Sequence, residues 1–139
     1  MNVRDVMTSN PRTVAPNDSI RIAARIMKEE DCGVVPIVDN GRPVGIVTDR
    51  DIVIRAVAEG GSDRAVREIA TTDLIFVKPD TSTRDAEKLM AERQVRRLPV
   101  VENDRLVGIV SLGDIAVKEG KDSRTGATLE NISEGVKKQ

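Results

Sequence analysis

The chain has 139 residues, with 22 lysines and arginines against 23 aspartates and glutamates, so its net charge is −1. This balance gives no overall field that would attract nucleic acid or an anionic membrane. The chain contains no histidine and only one cysteine, Cys32. It therefore lacks the commonest general base and metal ligand and cannot form an intrachain disulfide, which argues against an enzyme and against a metal site. No apolar run is long enough for a signal or membrane segment, which predicts a soluble, cytoplasmic protein.

The first half of the chain predicts a β-α-β-β-α unit. Its elements, in order, are an extended segment at 13–16, a helix from 20, a strand at 34–38, a returning strand at 44–47 and a helix at 49–59. The first helix has an apolar face at i, i+3, i+4 and i+7, formed by Ile20, Ala23, Ala24 and Met27. Asn40-Gly41 predicts a tight hairpin turn between the two strands. Cys32, at the start of an apolar stretch, is predicted to be a small core residue.

The second half repeats this plan. Residues 71–118 align with 8–55 at an offset of 63 without a gap, and 18 of the 48 pairs are identical. Short helical segments are expected before each copy, at 3–7 and 65–70. The domain prediction is one repeat at 1–60, a second at 61–119 and a polar tail at 120–139, in which 128–132 is a candidate helical turn. Such a repeat predicts a unit that buries its apolar face only against its copy.

Both returning strands run into the same polar pattern. Residues 45–51 read Gly-Ile-Val-Thr-Asp-Arg-Asp, and residues 108–114 read Gly-Ile-Val-Ser-Leu-Gly-Asp. A hydroxyl residue stands where the strand stops, and a carboxylate follows three residues later in the first turn of the helix. An ionised aspartate accepts two hydrogen bonds, which suits a vicinal diol such as a ribose, and the hydroxyl with free N–H groups suits a phosphate. Gly45 is expected to let the backbone approach a bound molecule.

The same spacing also fits a purely structural role. Thr48 and Asp51, three residues apart at a strand-to-helix junction, match a small capping box. Duplication preserves structural features as well as functional ones, so the spacing leaves both interpretations open.

A family resemblance is carried by Val35-Pro36-Ile37-Val38, Val44 to Thr48 and Asp51, together with the matching residues 63 positions later. This pattern resembles a pair of CBS domains, an arrangement called a Bateman module, and it covers residues 1–119. The run at 95–101 is similar to that of small stand-alone CBS-pair proteins. The resemblance implies an α+β fold of two β-α-β-β-α repeats packed about a pseudo-twofold axis. It also implies non-catalytic regulation, with adenosine-containing ligands (AMP, ADP, ATP, S-adenosylmethionine or NADH) in clefts between the repeats and no catalytic cofactor.

Carried over to this sequence, the resemblance implies two ligand sites. Asp51 and Asp114 would hold the ribose hydroxyls, with Thr48 and Ser111 near the ribose or phosphate. The adenine would lie between the leading extended segment and the buried strand of each repeat. The lining residues would be Thr13, Val14, Pro16, Val34, Val35 and Pro36 in repeat one, and Phe76, Val77, Pro79, Arg97, Leu98 and Pro99 in repeat two.

Arginines make the two sites unequal. Arg96 and Arg97 stand in repeat two, and Arg50 stands in repeat one, at positions where the other copy has no charge. The resemblance implies that such basic residues hold phosphate and that clefts are shared, so Arg96 or Arg97 is expected to reach a phosphate held by Thr48 and Asp51. The alternative is that the two arginines form a solvated rim. The repeat-one cleft is the favoured site on this argument.

The closing helices, which end the two repeats at 49–59 and 112–119, carry more apolar residues than one small module can bury. This excess agrees with the homodimer that is the family arrangement. The expected function is to sense an adenine nucleotide and to reshape a surface for a protein partner that the sequence does not identify. The alternative is a CBS pair without ligand that serves only for dimerisation or docking. Catalysis and nucleic-acid binding fit the composition poorly.

Overall fold

The computed structural model describes residues 1–120, so the predicted tail from Lys121 onward lies outside the described residues. The predicted α+β fold with two tandem repeats is confirmed. The described residues form two compact units. The repeat-one unit contains Asn10–Leu74 and Asn103–Leu106, and the repeat-two unit contains Met1–Ser9, Ile75–Glu102 and 107–120. Among the described residues, no helix has the length and apolarity needed to cross a membrane.

In the repeat-one unit, the predicted elements occur in the predicted order. They are helix α2 (Ile20–Glu30), strand β2 (Val34–Asp39), strand β3 (Arg42–Thr48), the short helix α3 (Asp49–Asp51), a π-helix (Ile52–Val57) and a 3₁₀ turn (Val66–Glu68). Strands β2 and β3 pair antiparallel, with Val34 opposite Thr48 and Pro36 opposite Ile46. The helix predicted at 49–59 therefore begins at the expected residue but continues mainly as a π-helix.

The repeat-two unit repeats these elements. It contains helix α1 (Val3–Val6), strand β1 (Thr8–Ser9), helix α4 (Thr83–Arg93), strand β4 (Arg97–Glu102), strand β5 (Arg105–Ser111) and helix α5 (Leu112–Glu119). The sheet order is β1-β5-β4, and β1 is antiparallel to β5. Here the closing helix α5 is a regular α-helix, unlike its π-helical counterpart.

Local sequence signals explain where the elements begin and end. Ser19 and Ser82 cap helices α2 and α4 through their side-chain oxygens, which accept from the N–H groups of Arg21 and Asp85. The Asn40-Gly41 hairpin turn has φ values of 53° and 82°, a pair of left-handed residues that asparagine and glycine tolerate. These signals were all readable in the sequence.

The short segments that precede the repeats are exchanged, so that each packs in the core of the other repeat. Helix α1, which precedes repeat one, buries Val3 and Val6 in the repeat-two core. The 3₁₀ turn, which precedes repeat two, buries Val66 in the repeat-one core, with Ile69 just after it. The backbone follows the same exchange, since Thr8 pairs with Ile109 of β5, while Thr71, at the matching position of the other copy, bridges to Ile46 of β3.

This exchange explains the repeated glycine of the Gly-Ile-Val sequence. A Cβ atom added at Gly45 would lie 3.2 Å from the carbonyl oxygen of Thr71, and one added at Gly108 would lie 2.9 Å from the carbonyl oxygen of Thr8. The structure thus fills the space beside Gly45 with the exchanged segment. Gly45 was expected to let the backbone approach a ligand, but this close backbone packing takes the space instead.

Two core predictions were wrong in detail. Cys32 is exposed, and its Sγ lies 3.4 Å from the carbonyl oxygen of Val34. Helix α2 buries Ile20, Ala23, Ile26 and Met27, whereas Ala24 is exposed. The apolar face is therefore rotated toward Ile26, and the left-handed residue Asp31 turns the chain away before Cys32 can enter the core.

Candidate functional site

The first polar signature, Thr48-Asp49-Arg50-Asp51, lies where β3 ends and α3 begins. The N–H of Asp51 donates to Thr48 Oγ1 at 3.1 Å, and the N–H of Thr48 donates to Asp51 Oδ2 at 3.0 Å. These two bonds form the reciprocal capping box that the sequence allowed. The second oxygen of Asp51 lies 3.8 Å from Arg55 Nε, and the Asp51 side chain is only 13% exposed.

The second signature, Ser111-Leu112-Gly113-Asp114, occupies the matching junction of β5 and α5. The N–H of Asp114 donates to Ser111 Oγ at 3.0 Å, which matches the bond to the hydroxyl in the capping box of signature one. Within residues 1–120, no hydrogen bond or ion pair reaches the Asp114 carboxylate, which is half-buried. Signature two therefore presents a carboxylate that is available to accept two hydrogen bonds.

In each repeat, the leading extended segment lies directly beside the first strand of the hairpin. The N–H of Val14 donates to the carbonyl of Pro36 at 3.0 Å, and the N–H of Val77 donates to the carbonyl of Pro99 at 3.1 Å. Thr48 lies opposite Val34, two residues along β2 from Pro36. Strand β2 therefore lies between the leading segment on one edge and β3 on the other, and the hydroxyl is displaced by about 7 Å along the strand from the leading segment.

The structure places the predicted site residues at three levels of exposure. Those that are buried, called the apolar wall below, are Val14, Val34, Val35, Pro36, Val77, Leu98 and Pro99, and four of them (Val14, Val35, Val77 and Leu98) pack in the hydrophobic cores of the two units. Those that are half-buried lie at the edge of this wall: Pro16, Thr48, Asp51, Arg97, Ser111 and Asp114. Those that are exposed are Thr13, Arg50, Phe76 and Arg96. Each repeat therefore brings its apolar wall and its signature together within one compact unit.

Sequence reasoning missed the charges closest to signature one. A Cβ atom added at Gly33 would lie 3.0 Å from Asp49 Oδ2, so the Asp49 carboxylate covers this glycine. Arg55 lies beside Asp51, and its i, i+4 spacing was the signal that could have revealed it. No sequence signal indicated the position of Asp49, because that depends on how the strand start and the helix start meet.

The matching place in repeat two carries no carboxylate. Leu112, at the position of Asp49, is buried, and its N–H donates to the carbonyl of Arg96 at 2.9 Å. Arg96 is thereby held next to the start of α5, close in the chain to Arg97. In the described part of the chain, neither guanidinium forms an ion pair or a side-chain hydrogen bond.

Acidic groups do not gather into a metal site in this part of the molecule. Among residues 1–120, no three side chains of His, Cys, Asp or Glu come together in a way that could hold a metal ion. The chemistry available at the signatures is therefore hydrogen bonding by carboxylate and hydroxyl groups and charge pairing by arginine.

Comparison with known proteins gives the family. The CBS domain family matches residues 3–57 and 66–118, and the chain belongs to it. The CBS domain-containing protein YhcV of Bacillus subtilis (strain 168) is 44% identical over 133 residues, covering 95% of this chain and 95% of its own length. The chain is thus a CBS-domain pair.

Two solved structures show the same fold. Hypoxic Response Protein I with two coordinated zinc ions has a TM-score of 0.77 at 38% identity, over 84% of this chain and 98% of its own. The CBS domain pair of protein MJ0100, in complex with 5′-methylthioadenosine and S-adenosyl-L-methionine, has a TM-score of 0.79 at 33% identity, over 88% of this chain and 98% of its own. CBS pairs of this fold therefore include one that binds adenosine-containing molecules.

Proposed function

We propose that this CBS pair is a non-catalytic regulatory module that binds an adenosine-containing ligand. The observation that carries the proposal is the Asp114 carboxylate, half-buried beside the Ser111 hydroxyl and without a partner in residues 1–120. A carboxylate in this position suits the two hydroxyls of a ribose. The complex of the related MJ0100 pair with two adenosine derivatives supports the same ligand class.

The apolar wall offers a place for the adenine ring. In repeat two, Val77, Leu98 and Pro99 are buried beside signature two, and Phe76 is the one aromatic residue of the chain. Aliphatic side chains can hold a purine by burying its faces, since dispersion and the hydrophobic effect need no aromatic partner. The corresponding buried residues of repeat one are Val14, Val34 and Pro36.

Regulation then follows from binding alone. A ligand shifts a conformational equilibrium only if it binds one state more tightly than the other. We propose that the ligand stabilises one arrangement of the CBS pair and so changes a surface that a partner protein recognises. The cytoplasm is the proposed location, because the ligand pool is there.

The test is a thermal-shift panel with AMP, ADP, ATP, S-adenosylmethionine, 5′-methylthioadenosine and NADH. A ligand at about 100 times its dissociation constant adds roughly 2.7 kcal/mol of stability, which raises the melting temperature by several degrees in a domain of this size. The variants are Asp51→Ala and Asp114→Ala. 2′-Deoxyadenosine is the ligand control, since it lacks one of the two hydroxyls that the carboxylate would bind.

We expect at least one adenosine compound to raise the melting temperature, an effect lost in one or both aspartate variants and reduced for the deoxy compound. If all six ligands leave the melting curve unchanged, the sensor proposal is wrong. If they shift it equally in the wild type and in both variants, the binding site lies elsewhere.

A docking module without ligand is the second candidate, and signature one favours it. The carboxylate of Asp51 and the hydroxyl of Thr48 already satisfy the backbone of their own helix start. A purely structural capping box would look the same. This candidate predicts that both aspartate variants keep partner binding. A ligand panel without any thermal shift would support it.

We also propose that the chain forms a homodimer through its closing helices. Three valines there are largely exposed: Val53 (60%), Val57 (64%) and Val117 (80%). Exposed aliphatic residues are unfavourable in water unless a partner covers them. Light scattering should report a dimer that Val53→Lys with Val57→Lys converts to a monomer, while Val44→Lys, on strand β3, leaves it intact.

A further inference from the structure

The side chain of Arg55 contacts both the carboxylate of signature one and the exchanged segment before repeat two (residues 66–71, called the linking segment below). Its Nε lies 3.8 Å from Asp51 Oδ1, and its Nη1 donates to the carbonyl of Ile69 at 3.4 Å. All three residues belong to the repeat-one unit. Arg55 therefore bridges the carboxylate and the linking segment through two nitrogens of one rigid guanidinium group.

The linking segment is packed in the repeat-one core and paired with the strand that carries the signature. Val66 and Ile69 are buried in that core. Thr71 then exchanges two backbone hydrogen bonds with Ile46 of β3, at 2.9 and 3.0 Å. Since Ile46 stands two residues before Thr48, the segment lies beside the end of the strand where the signature begins.

The main chain of Arg55 is held as well as its side chain. Arg55 lies in the π-helix Ile52–Val57, and its carbonyl accepts from Arg64 Nη2 at 2.5 Å. Turns of π-helix are rare and are frequently found at functional sites. The corresponding element of repeat two is the regular helix α5. The irregular helix of repeat one is therefore the place where the carboxylate and the linking segment are connected.

Repeat two has a lysine in place of this arginine. Lys118 stands 63 positions after Arg55 and four residues after Asp114. It is exposed, and among residues 1–120 no ion pair joins it to Asp114. A lysine ammonium is a point charge on a flexible stem, so it lacks the fixed fork with which a guanidinium holds two acceptors. Repeat two is thus an internal reference in which the bridge is missing.

We infer that Arg55 couples the occupancy of signature one to the linking segment. The inference rests on the proposed function and names a device for regulation by that same site. Beyond Thr71 the chain continues into the leading segment of repeat two at 75–79, so the linking segment is a covalent connection between the repeats. Arg55 is a positioning residue in this role, because it acts on the ligand through Asp51.

The direction of the coupling follows from the two oxygens of Asp51. Oδ2 accepts from the N–H of Thr48 at 3.0 Å, whereas Oδ1 faces Arg55 at the longer distance. Two ribose hydroxyls that donate to this carboxylate hold it in one orientation. Both contacts of Arg55 are longer than the about 2.7–2.9 Å of a charge-assisted hydrogen bond, so a fixed carboxylate lets the bridge shorten. Occupancy then stabilises the linking segment, and by reciprocity the bridge strengthens binding by the same factor.

The test is NMR spectroscopy of the full chain with 5′-methylthioadenosine as the probe. This ligand is uncharged, so the charge of Arg55 has little direct effect on it. Titrations followed at the amides of Asp51 and Asp114 give the affinity of each signature separately. Hydrogen exchange at the amides of Ile46 and Thr71, called the segment amides below, reports on the linking segment.

The duplication supplies both reference amides and matched variants. Thr8 and Ile109 form the equivalent pairing in repeat two, and their amides are the reference amides. Arg55→Lys keeps the charge and inserts the residue of repeat two, whereas Arg55→Gln removes both the charge and the fork. Lys118→Gln removes the exposed charge at the matching position of repeat two and serves as the control.

At saturating ligand, we expect the slowing of exchange at the segment amides to be about three- to tenfold larger in the wild type than in either Arg55 variant, a size that such couplings take. Both variants should weaken binding at signature one by the same factor. Binding at signature two and the response of the reference amides should stay within about twofold, because distant sites are nearly independent. Lys118→Gln should behave like the wild type at signature one.

The outcomes separate this inference from the proposed function. If the probe binds at neither signature, both are wrong. If it binds at signature two alone, or if the segment amides respond equally in the wild type and in both Arg55 variants, adenosine sensing stands and the coupling is wrong. An Arg55→Lys protein that behaves like the wild type, or a Lys118→Gln protein that behaves like Arg55→Lys, would make charge alone the cause and would also overturn the inference.

Discussion

Repeat one and repeat two place the same hydroxyl and the same carboxylate at the same junction, yet the two carboxylates have different surroundings. Asp51 completes a capping box and lies 3.8 Å from Arg55 Nε, while Asp114 meets no side-chain partner in the described chain. The two repeats share the strand-to-helix junction that positions the carboxylate. What differs is whether the carboxylate already has partners among the described residues.

A second difference lies beside the leading segments. In repeat one, Arg12 Nη1 lies 2.6 Å from Glu29 Oε2, and this ion pair joins the leading segment to the end of helix α2. In repeat two, Ile75 and Glu92 stand at these positions and form no such pair. An open groove of about 480 Å³ is found here, lined by Phe76, Val77, Lys78, Thr81, Asp85, Lys88, Leu89 and Glu92.

The largest effect on stability is expected where the exchanged segments pack against the repeated glycines. Gly108→Ala places a methyl group 2.9 Å from the carbonyl oxygen of Thr8 and 2.6 Å from Met7 Sδ, whereas Gly45→Ala places it 3.2 Å from the carbonyl oxygen of Thr71. Overpacking of this kind costs about 1–3 kcal/mol, so Gly108→Ala should lose that much and Gly45→Ala clearly less. Urea denaturation measures both, and equal losses would show that the two exchanged segments pack alike.

A smaller effect should separate the two aspartates in the absence of ligand. Asp51→Ala removes the acceptor of the Thr48 N–H and should cost about 1 kcal/mol, while Asp114→Ala should cost less than about 0.5 kcal/mol. Thr48→Ala and Ser111→Ala are the matched controls, because both hydroxyls cap a helix and should cost about 1 kcal/mol each. A larger loss in Asp114→Ala than in Asp51→Ala would contradict the assignment of the free carboxylate.

The smallest effect concerns the ion pair of repeat one. The hydrogen bond from Arg12, helped by its charge, holds the pKa of the Glu29 carboxyl below its ordinary value. A lowered pKa in the folded state means that the pair stabilises the fold above the unfolded pKa, and that this stability is lost as pH falls through the folded pKa. Because both side chains are about half exposed, the contribution is small and is screened by salt.

An NMR titration of the Glu29 side-chain carboxyl carbon measures this shift. In the wild type, the titration midpoint should lie below the ordinary value for glutamate, and Arg12→Gln should raise it toward that value. The stability difference between the two proteins should be present at neutral pH and vanish in strong acid. A midpoint that Arg12→Gln leaves unchanged would exclude the ion pair as the cause.

The sequence was sufficient to predict the order of elements, because each depends on local signals. The serine caps, the Asn40-Gly41 turn and the β-branched runs act over a few residues and were readable without the fold. The repeat also indicated both signatures and the family. The exchange of the segments before each repeat was not predicted, because Val3 and Val66 pack against residues far away in the chain.

The contacts of the charged groups around signature one were likewise beyond sequence reasoning. Asp49 lies two residues from Asp51, but its contact with Gly33 depends on how β2 and α3 meet. The predicted burial of Cys32 was wrong for a similar reason, since the left-handed turn at Asp31 decides its exposure. Local spacing predicts which residues are polar and periodic, whereas the neighbours of a side chain depend on tertiary packing.

The most direct measurement is a crystal structure of the chain grown with AMP and 5′-methylthioadenosine together. The account predicts that the ribose hydroxyls of a bound nucleoside lie within hydrogen-bond distance of the Asp114 carboxylate. The absence of a nucleoside from both signatures would contradict the account.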